Sequence, residues 1–462
     1  DAMMDLKGKK VLVVGLGKSG LAAALFLRRQ GAQVTVSDIR SAESLAKEIP
    51  ALLDEGIMVE AGGHGLLTFR RQDLIVVSPG VPLNTPELVQ AKNFGRPVIG
   101  ELELAARFLK GKIVAITGSN GKTTTTTLAG EMLKEAGLPT LVAGNIGVSV
   151  VGLIEDSTDD TWSVLEVSSF QLESAIEFHP AISVILNITP DHLDRHGTFE
   201  NYALAKECIF ANQDANDFVV LNADNGRAAE AAARSKAPVY WFSVKHPVEQ
   251  GAWVEKGNAV YRPAPGAAVE TILPLGKIPL KGEHNVENVL AAACAGRLAG
   301  APADAIARAI EKFHAVEHRL EFVASINGVE FYNDSKATNV DATEKAVAAF
   351  PGGIHLILGG KDKGAPYTPL VPLLRERGRA VYTIGAAAAK IESQLRGAAP
   401  IQSCETLAKA VSAAAAAAQP GEVVLLAPAC SSFDQFENYE QRGRVFKQLV
   451  AELKDWKAKQ NA

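Results

Sequence analysis

Residues 113–130 read IVAITGSNGKTTTTTLAG: a β-branched apolar run, a glycine-rich break, then a threonine-rich stretch that passes into a helical pattern. That order predicts strand, phosphate loop and helix. Glycines at 118 and 121 would let backbone N–H groups turn onto phosphate oxygens at the helix N-terminus, with Ser119, Asn120 and Thr124 completing the stretch. Lys122 would reach the β- and γ-phosphates, and the Thr123 hydroxyl would meet Mg²⁺. Ile116 stands where the general motif has its first glycine, so the match is to a shorter form, G-x-x-G-K-T. The alternative is a glycine turn that only caps a helix.

The rest of the chain bounds the reading. Its 462 residues suggest about three domains, and 47% hydrophobic content is ample for folded cores. The net charge of −5, with no block of like charges, argues against a nucleic-acid or anionic-membrane surface, so anionic ligands must be held by local groups. The cysteines, Cys208, Cys294, Cys404 and Cys430, are far apart and show no C-x-x-C spacing, which suits a reducing compartment. No apolar run approaches a membrane span and the first residues lack a signal-peptide core, so a cytoplasmic protein is expected; a monomer is the expected state, which these features do not decide.

Three α/β segments are expected, over residues 1–100, 101–315 and 316–462. In the first, a buried-strand run from Lys10 leads into Gly15-x-Gly17-x-x-Gly20 and a helical stretch, and a second strand ends in Asp38. This is the form of a dinucleotide fingerprint and taken alone suggests NAD. A further strand from Leu74 ends in Ser78-Pro79-Gly80, one wall of the same crevice. The middle segment adds near-continuously apolar strands ending in Glu166 and in Thr189-Pro190-Asp191-His192. Ligands gather outside the carboxyl ends of such parallel strands, so these residues are expected near the phosphates. The third segment repeats the pattern at 355–360, 380–385 and 422–429, and Ala413 to Ala418 reads as one face of a packed helix. The fold class is therefore α/β, with Rossmann-like first and third domains flanking a P-loop ATPase-type centre.

The motifs TGSNGKTT, LEVSSFQLE, NITPDHLDRHG, GEHNVENVLAA, EHRLEFV, YNDSKATN and LAPACSSFDQFENYEQRG follow one another along residues 113–443. Together they resemble the Mur ligases of peptidoglycan synthesis. The first four are shared with folylpolyglutamate synthases, whereas NDSKATN and ACSSFDQF resemble the D-glutamate-adding branch. The resemblance implies an ATP-dependent amide ligase acting on UDP-N-acetylmuramoyl-L-alanine and D-glutamate. The chemistry is coherent: a carboxylate is not electrophilic, ATP converts it to an acyl phosphate, and an amine then displaces phosphate. Such a reaction calls for metal ions, cationic side chains and a dry cleft.

The resemblance also assigns residues. Glu166, His192 and a modified Lys206 would ligate Mg²⁺ alongside Thr123, in two metal sites, and Lys122 would act on the transferred phosphoryl group. Asn285 and Asn288 would meet adenine, with a helix N-cap as the simpler role for Asn285. Arg319 and Asp334 would serve the γ-phosphate and ribose, which implies that domains close during catalysis. Lys336, Thr338, Lys363, Ser432 and Tyr439 would form the D-glutamate pocket, although Lys361 is an alternative to Lys363. At the glycine loop, Gly17, Lys18, Ser19 and Gly20 would meet the UDP diphosphate, because helix N-terminal amides accept any diphosphate. Asp38 and Arg40 would lie at the uridine, Ser78 and Gly80 at the crevice wall, and Asn145 at the muramoyl group.

Lys206 stands out on its own residues. At 100° per residue in the helical stretch 201–210 it falls between Tyr202 and Phe210, inside the apolar arc and away from Glu207. It reads either as a snorkelling side chain or, as the resemblance implies, as a lysine that takes up CO₂ to form a carbamate. Two other functions stay open on the sequence: a nicotinamide-dependent protein fused to a P-loop domain, and a ligase of the same superfamily that uses another amino acid or a folate.

Overall fold

The computed structural model describes residues 4–144 and 148–461. Three sheets follow one another along the chain. The first is fully parallel, in the order Met58–Ala61, Gln33–Asp38, Lys10–Val14, Leu74–Val77 and Val98–Gly100. Strand order reverses on either side of Lys10–Val14, whose four valine and leucine side chains are buried. A reversal of that kind opens a crevice at the carboxyl ends, where Gly15 and Ser78 sit.

The second sheet has nine strands. Lys112–Thr117, which carries the phosphate loop, lies between Trp162–Glu166 and Ile182–Ile185, and all three run parallel. Burial on both faces accounts for the near-continuous apolar sequences of these strands. Beyond Val239–Ser243 the sheet continues through Gly251–Glu255, Asn258–Arg262 and Glu270–Pro274, the last two paired antiparallel. The hairpin at Lys256-Gly257 has positive φ at both residues, 50° and 77°, the twist a two-residue turn between antiparallel strands requires.

The third sheet runs Glu321–Ile326, Val329–Asn333, Val423–Leu426, Ile354–Gly359, Gly378–Ile384 and Ile401–Glu405, with only the first pair antiparallel. The alanine-rich stretch forms the helix Leu407–Ala417, with Ala410, Ala414 and Ala415 turned into the core. A long helix, Tyr439–Gln460, closes the chain against this sheet. No helix of the described residues is long and apolar enough to cross a membrane.

Candidate active site

The helix Lys122–Glu135 starts directly after Gly121, which has φ 85° and so adopts a left-handed conformation natural to glycine. A side chain there would also collide with the amide of Asn288. Asn187 fixes the loop: its Oδ1 accepts the N–H groups of Ser119 and Asn120, both at 2.9 Å. Ser119 Oγ in turn donates to Thr189 O at 3.0 Å and lies 2.8 Å from the Tyr202 hydroxyl. Neither Asn187 nor Tyr202 was singled out in the sequence, because a buried Asn or Tyr ending a strand or lining a helix carries no spacing signal.

Thr123 Oγ1 is 2.8 Å from both carboxylate oxygens of Glu166, which is 2% exposed. A hydroxyl and a carboxylate held together under a phosphate loop are the hard-oxygen donor set that Mg²⁺ prefers. Across the loop, Lys122 Nζ donates to Gly118 O at 2.9 Å. Enclosure lowers its pKa, against the pull of Glu166 and Asp191. His192 has φ 50°, a strained conformation for a non-glycine residue. Partial burial pushes its imidazole down to about 4, opposed by Asp191, so it is neutral at pH 7 and free to accept a proton or a metal.

Lys206 lies in the helix Phe199–Glu207 and is 1% exposed. Its Nζ donates to Gly118 O at 2.9 Å and to Thr117 Oγ1 at 3.4 Å. Burial, reinforced by the charge of Lys122, holds its pKa far below the usual lysine value. Snorkelling is thus excluded. Glu207, directed away from Lys206, is also buried at 6% exposed, and Arg227 at 2.6 Å and Arg234 at 2.5 Å neutralise it. Paired charge lets a glutamate enter the same buried helix.

Residues of the third segment reach this loop. Arg319 Nη2 donates to Thr123 Oγ1 at 2.8 Å. Asn339 Nδ2 donates to Asn120 Oδ1 at 3.1 Å and to Asp191 Oδ2 at 3.0 Å, while Asn120 donates to Asp341. Lys363 Nζ pairs with Asp191 Oδ1 at 2.8 Å, which holds that carboxyl well below the usual range despite burial. A cavity of about 140 Å³ is enclosed by the phosphate loop, Glu166, His192, Asn285, Asn288, Arg319, Asp334, Lys336 and Thr338. Burial raises Asp334 to about 7 and lowers Lys336 to about 7.

Other expected residues are distributed differently. Asn285 is not the helix cap: Gly282 precedes the helix Glu283–Ala299 at φ 90°, and Asn285 Nδ2 donates back to Lys281 O at 2.7 Å. Asn288 Nδ2 then donates to Asn285 Oδ1 at 3.1 Å. Lys363 lines a smaller neighbouring cavity, and Ser432 and Tyr439 line neither. The Tyr439 ring nevertheless stands 4.8 Å from Lys336 Nζ, a cation–π contact. At the first sheet, Asp38 is 4% exposed and accepts the Leu16 N–H at 2.8 Å and the Arg40 side chain at 2.9 Å, so its charge holds the glycine loop. Burial opposes the low pKa that these partners give it. Gly17 and Lys18 are exposed on that loop, Gly20 packs against Gly15 O and Ser78, and Gly80 lies in the turn beyond. Ser19 lines a cavity of about 340 Å³ that extends from the glycine loop to Lys122, His192 and Lys336. Asn145 lies outside the described residues.

The only group of three His, Cys, Asp or Glu side chains close enough to share a metal ion, among the described residues, is His179, Asp214 and Asp217. It belongs to none of these cavities.

Family models match most of the chain: Mur ligase MurD-like, N-terminal domain over residues 9–100, Mur ligase middle domain over 116–296, and Mur ligase, glutamate ligase domain over 318–430. The chain belongs to the Mur ligase family. This Mur ligase is accordingly an ATP-dependent ligase. It is 68% identical over 459 residues to the UDP-N-acetylmuramoylalanine--D-glutamate ligase of Acidobacterium capsulatum, covering 99% of this chain and 100% of that one. The enzyme of the same name from Koribacter versatilis is 58% identical, with 99% and 100% covered. Among solved structures, UDP-N-acetylmuramate-alanine ligase MurC from Thermotoga maritima has a TM-score of 0.60 at 20% identity, over 96% of this chain and 100% of that one. MurF ligase from the same organism, in complex with ADP, has a TM-score of 0.59 at 16% identity, over 98% and 97%. At those identities the likeness speaks for the fold.

Proposed function

We propose that this Mur ligase joins D-glutamate to UDP-N-acetylmuramoyl-L-alanine in peptidoglycan synthesis, and so serves cell-wall growth, cell shape and division from the cytoplasm, as a monomer. The observation that carries the reading is the contact of Arg319 with Thr123, which brings a third-segment cation onto the phosphate loop. The identity of relatives named for D-glutamate addition supports the choice of substrates.

Three domains, over residues 1–100, 101–315 and 316–462, divide the work. The glycine loop receives the UDP diphosphate, and the 340 Å³ cavity leads the muramoyl-alanine arm toward Lys122 and His192. The alanyl carboxylate oxygen attacks the γ-phosphorus, the bond to the β-phosphate oxygen breaks, and ADP leaves. The glutamate nitrogen then attacks the acyl carbon, loses a proton, and expels phosphate with the electron pair of the C–O bond. Lys122 and Arg319 neutralise charge that develops on the phosphoryl oxygens. Asn285 and Asn288 meet adenine, and Asp334 the ribose. Lys336, Thr338, Lys363, Ser432 and Tyr439 hold D-glutamate.

Thr123 and Glu166 suit one Mg²⁺, and His192, Glu166 and a carbamate on Lys206 suit a second. When bound, these ions neutralise phosphate charge and align the γ-phosphate. Lys206 fits the carbamate because its amine is buried without a carboxylate partner. Phosphate release on mixing ATP, UDP-N-acetylmuramoyl-L-alanine and each of D-glutamate, L-glutamate, L-alanine and a diamino acid tests the proposal. Release with D-glutamate alone is expected; comparable release with L-alanine refutes it.

A further inference from the structure

The cavity that runs from the glycine loop to the phosphate loop holds one acidic group that the reaction above leaves unused, Glu101. It is the first residue of the helix Glu101–Phe108, directly after the strand Val98–Gly100, and only 4% exposed. Ser78 Oγ lies 2.8 Å from Glu101 Oε1 and also 2.8 Å from the carbonyl oxygen of Gly15. A serine hydroxyl has a single proton. If both contacts are hydrogen bonds, one partner must donate, and the Gly15 carbonyl has no proton to give. Glu101 Oε2 is buried and has no hydrogen-bond partner, which is tolerable on a neutral acid and costly on a carboxylate.

We propose that Glu101 is a positioning residue for the nucleotide substrate: as a neutral acid it donates its proton to Ser78 Oγ, which donates to the Gly15 carbonyl and so fixes the loop that receives the anionic diphosphate. The inference rests on the functional reading above and deepens it. The relay turns the Gly15 carbonyl away from the ligand, leaving the loop N–H groups to face it. Ionisation of Glu101 would break the relay and set a negative charge behind an anion site. Burial raises the carboxyl to about 7, against the nearby Ser19 and Ser78 hydroxyls, which favour the charged form. Nearby charges are engaged elsewhere or stand apart. Glu103 on the same helix accepts the N–H groups of Ile176, Glu177 and Phe178, Lys18 on the loop is exposed, and Lys122, His192 and Lys336 face the far part of the cavity.

The binding-competent form is protonated, so affinity is full below about pH 7 and falls as pH rises beyond it. Calorimetric titration of the wild-type chain with UDP-N-acetylmuramoyl-L-alanine should show Kd rising about tenfold between pH 6.5 and 8.5. Glu101→Gln supplies a permanent N–H donor to Ser78, so its Kd should vary with pH by less than about twofold. Ser78→Ala removes the relay and should raise Kd at pH 6.5 while also flattening the profile, which gives a second reading if Glu101→Gln folds poorly by circular dichroism. Binding heat in the wild type with no pH dependence, or the same pH slope in both variants as in the wild type, overturns the relay alone. No binding heat at any pH overturns the relay together with the functional reading.

Discussion

The side-chain amines of Lys122 and Lys206 both donate to one oxygen, the carbonyl of Gly118, each at 2.9 Å. The lysines come from two different helices, Lys122–Glu135 and Phe199–Glu207. Two ammonium groups this close in a low-dielectric pocket repel strongly, and burial already favours the neutral form of each. Lys122 has Glu166 and Asp191 to offset its charge, whereas Lys206 has Asp191 against the charge of Lys122. Lys206 is therefore the one that gives up its proton.

A neutral, buried amine is the form that reacts with CO₂. The carbamate would bring an anionic oxygen ligand on a long stem into a pocket where Glu166 and His192 otherwise leave a magnesium ion short of oxygen donors. Lys206→Arg keeps a cation and cannot form the ligand, so turnover should fall by at least about a hundredfold. Lys206→Ala should be equally slow but partly restored by added short carboxylic acids. A ¹³C NMR carbamate signal from ¹³CO₂ in the wild type, absent in Lys206→Arg, is the accompanying readout. Normal rates in Lys206→Arg would exclude the modification.

Lys122→Ala removes the cation proposed to meet the β- and γ-phosphates. The loss in transition-state stabilisation should be about 3 kcal/mol, or two to three orders of magnitude in kcat. The fold should persist, because among the described residues the Lys122 amine bonds only to a loop carbonyl and Asn187 still anchors the loop. Single-turnover formation of ADP, measured beside the thermal midpoint, separates the two effects. Rapid ADP formation by a folded variant would remove Lys122 from the chemistry.

The strands of all three sheets were legible where they are buried on both faces, since Lys10–Val14, Leu74–Val77, Ile182–Ile185 and Ile354–Gly359 are near-continuously apolar. The antiparallel extension from Gly251 to Pro274 was not. Its strands mix buried and exposed positions, and its turn uses Lys256 where Asn or Asp would have signalled a hairpin. At the site, the loop residues Lys122 and Thr123 were legible because their spacing encodes the chemistry, whereas the role of His192 came from the resemblance alone. Asn187, Asn339 and Asp341 were missed: they act through contacts between segments distant in sequence, such as Asn339 with Asp191, which no local pattern reports.

The choice between Lys361 and Lys363 turns on Asp191. Lys363 is drawn inward by its 2.8 Å ion pair with that carboxylate, close to the main cavity, whereas Lys361 is exposed and meets Ser431 through its backbone. Lys363→Ala should raise the KM for D-glutamate at least about tenfold, the loss of one charge-assisted contact. Lys361→Ala should change it by less than about twofold, as for an exposed lysine. Steady-state kinetics with D-glutamate varied decides between them, and the reverse ranking would transfer the role to Lys361.

Arg442 is 1% exposed, yet its hydrogen-bond partners are neutral. It donates to Ser335 O at 2.7 Å, to Ser335 Oγ at 2.9 Å and to Cys430 O at 3.0 Å, and burial lowers its pKa to about 10. These bonds tie the helix Tyr439–Gln460 to the turn that carries Lys336 and Thr338, and to the strand-end loop before Ser432. Arg442→Met fills much of the space but leaves two buried carbonyls unpaired, at a cost of about 3 kcal/mol. Lysine could meet one carbonyl and not both, so Arg442→Lys should recover only part of the loss. The damage should be local first: backbone amides at 335–338 should exchange hydrogen faster in both variants, read by mass spectrometry of peptic fragments, while the phosphate-loop amides at 118–122 keep their protection. KM for D-glutamate should rise in proportion, because the cation and hydroxyl proposed to meet its carboxylates would no longer be held. Unchanged exchange at 335–338 would show that the turn is held by other contacts.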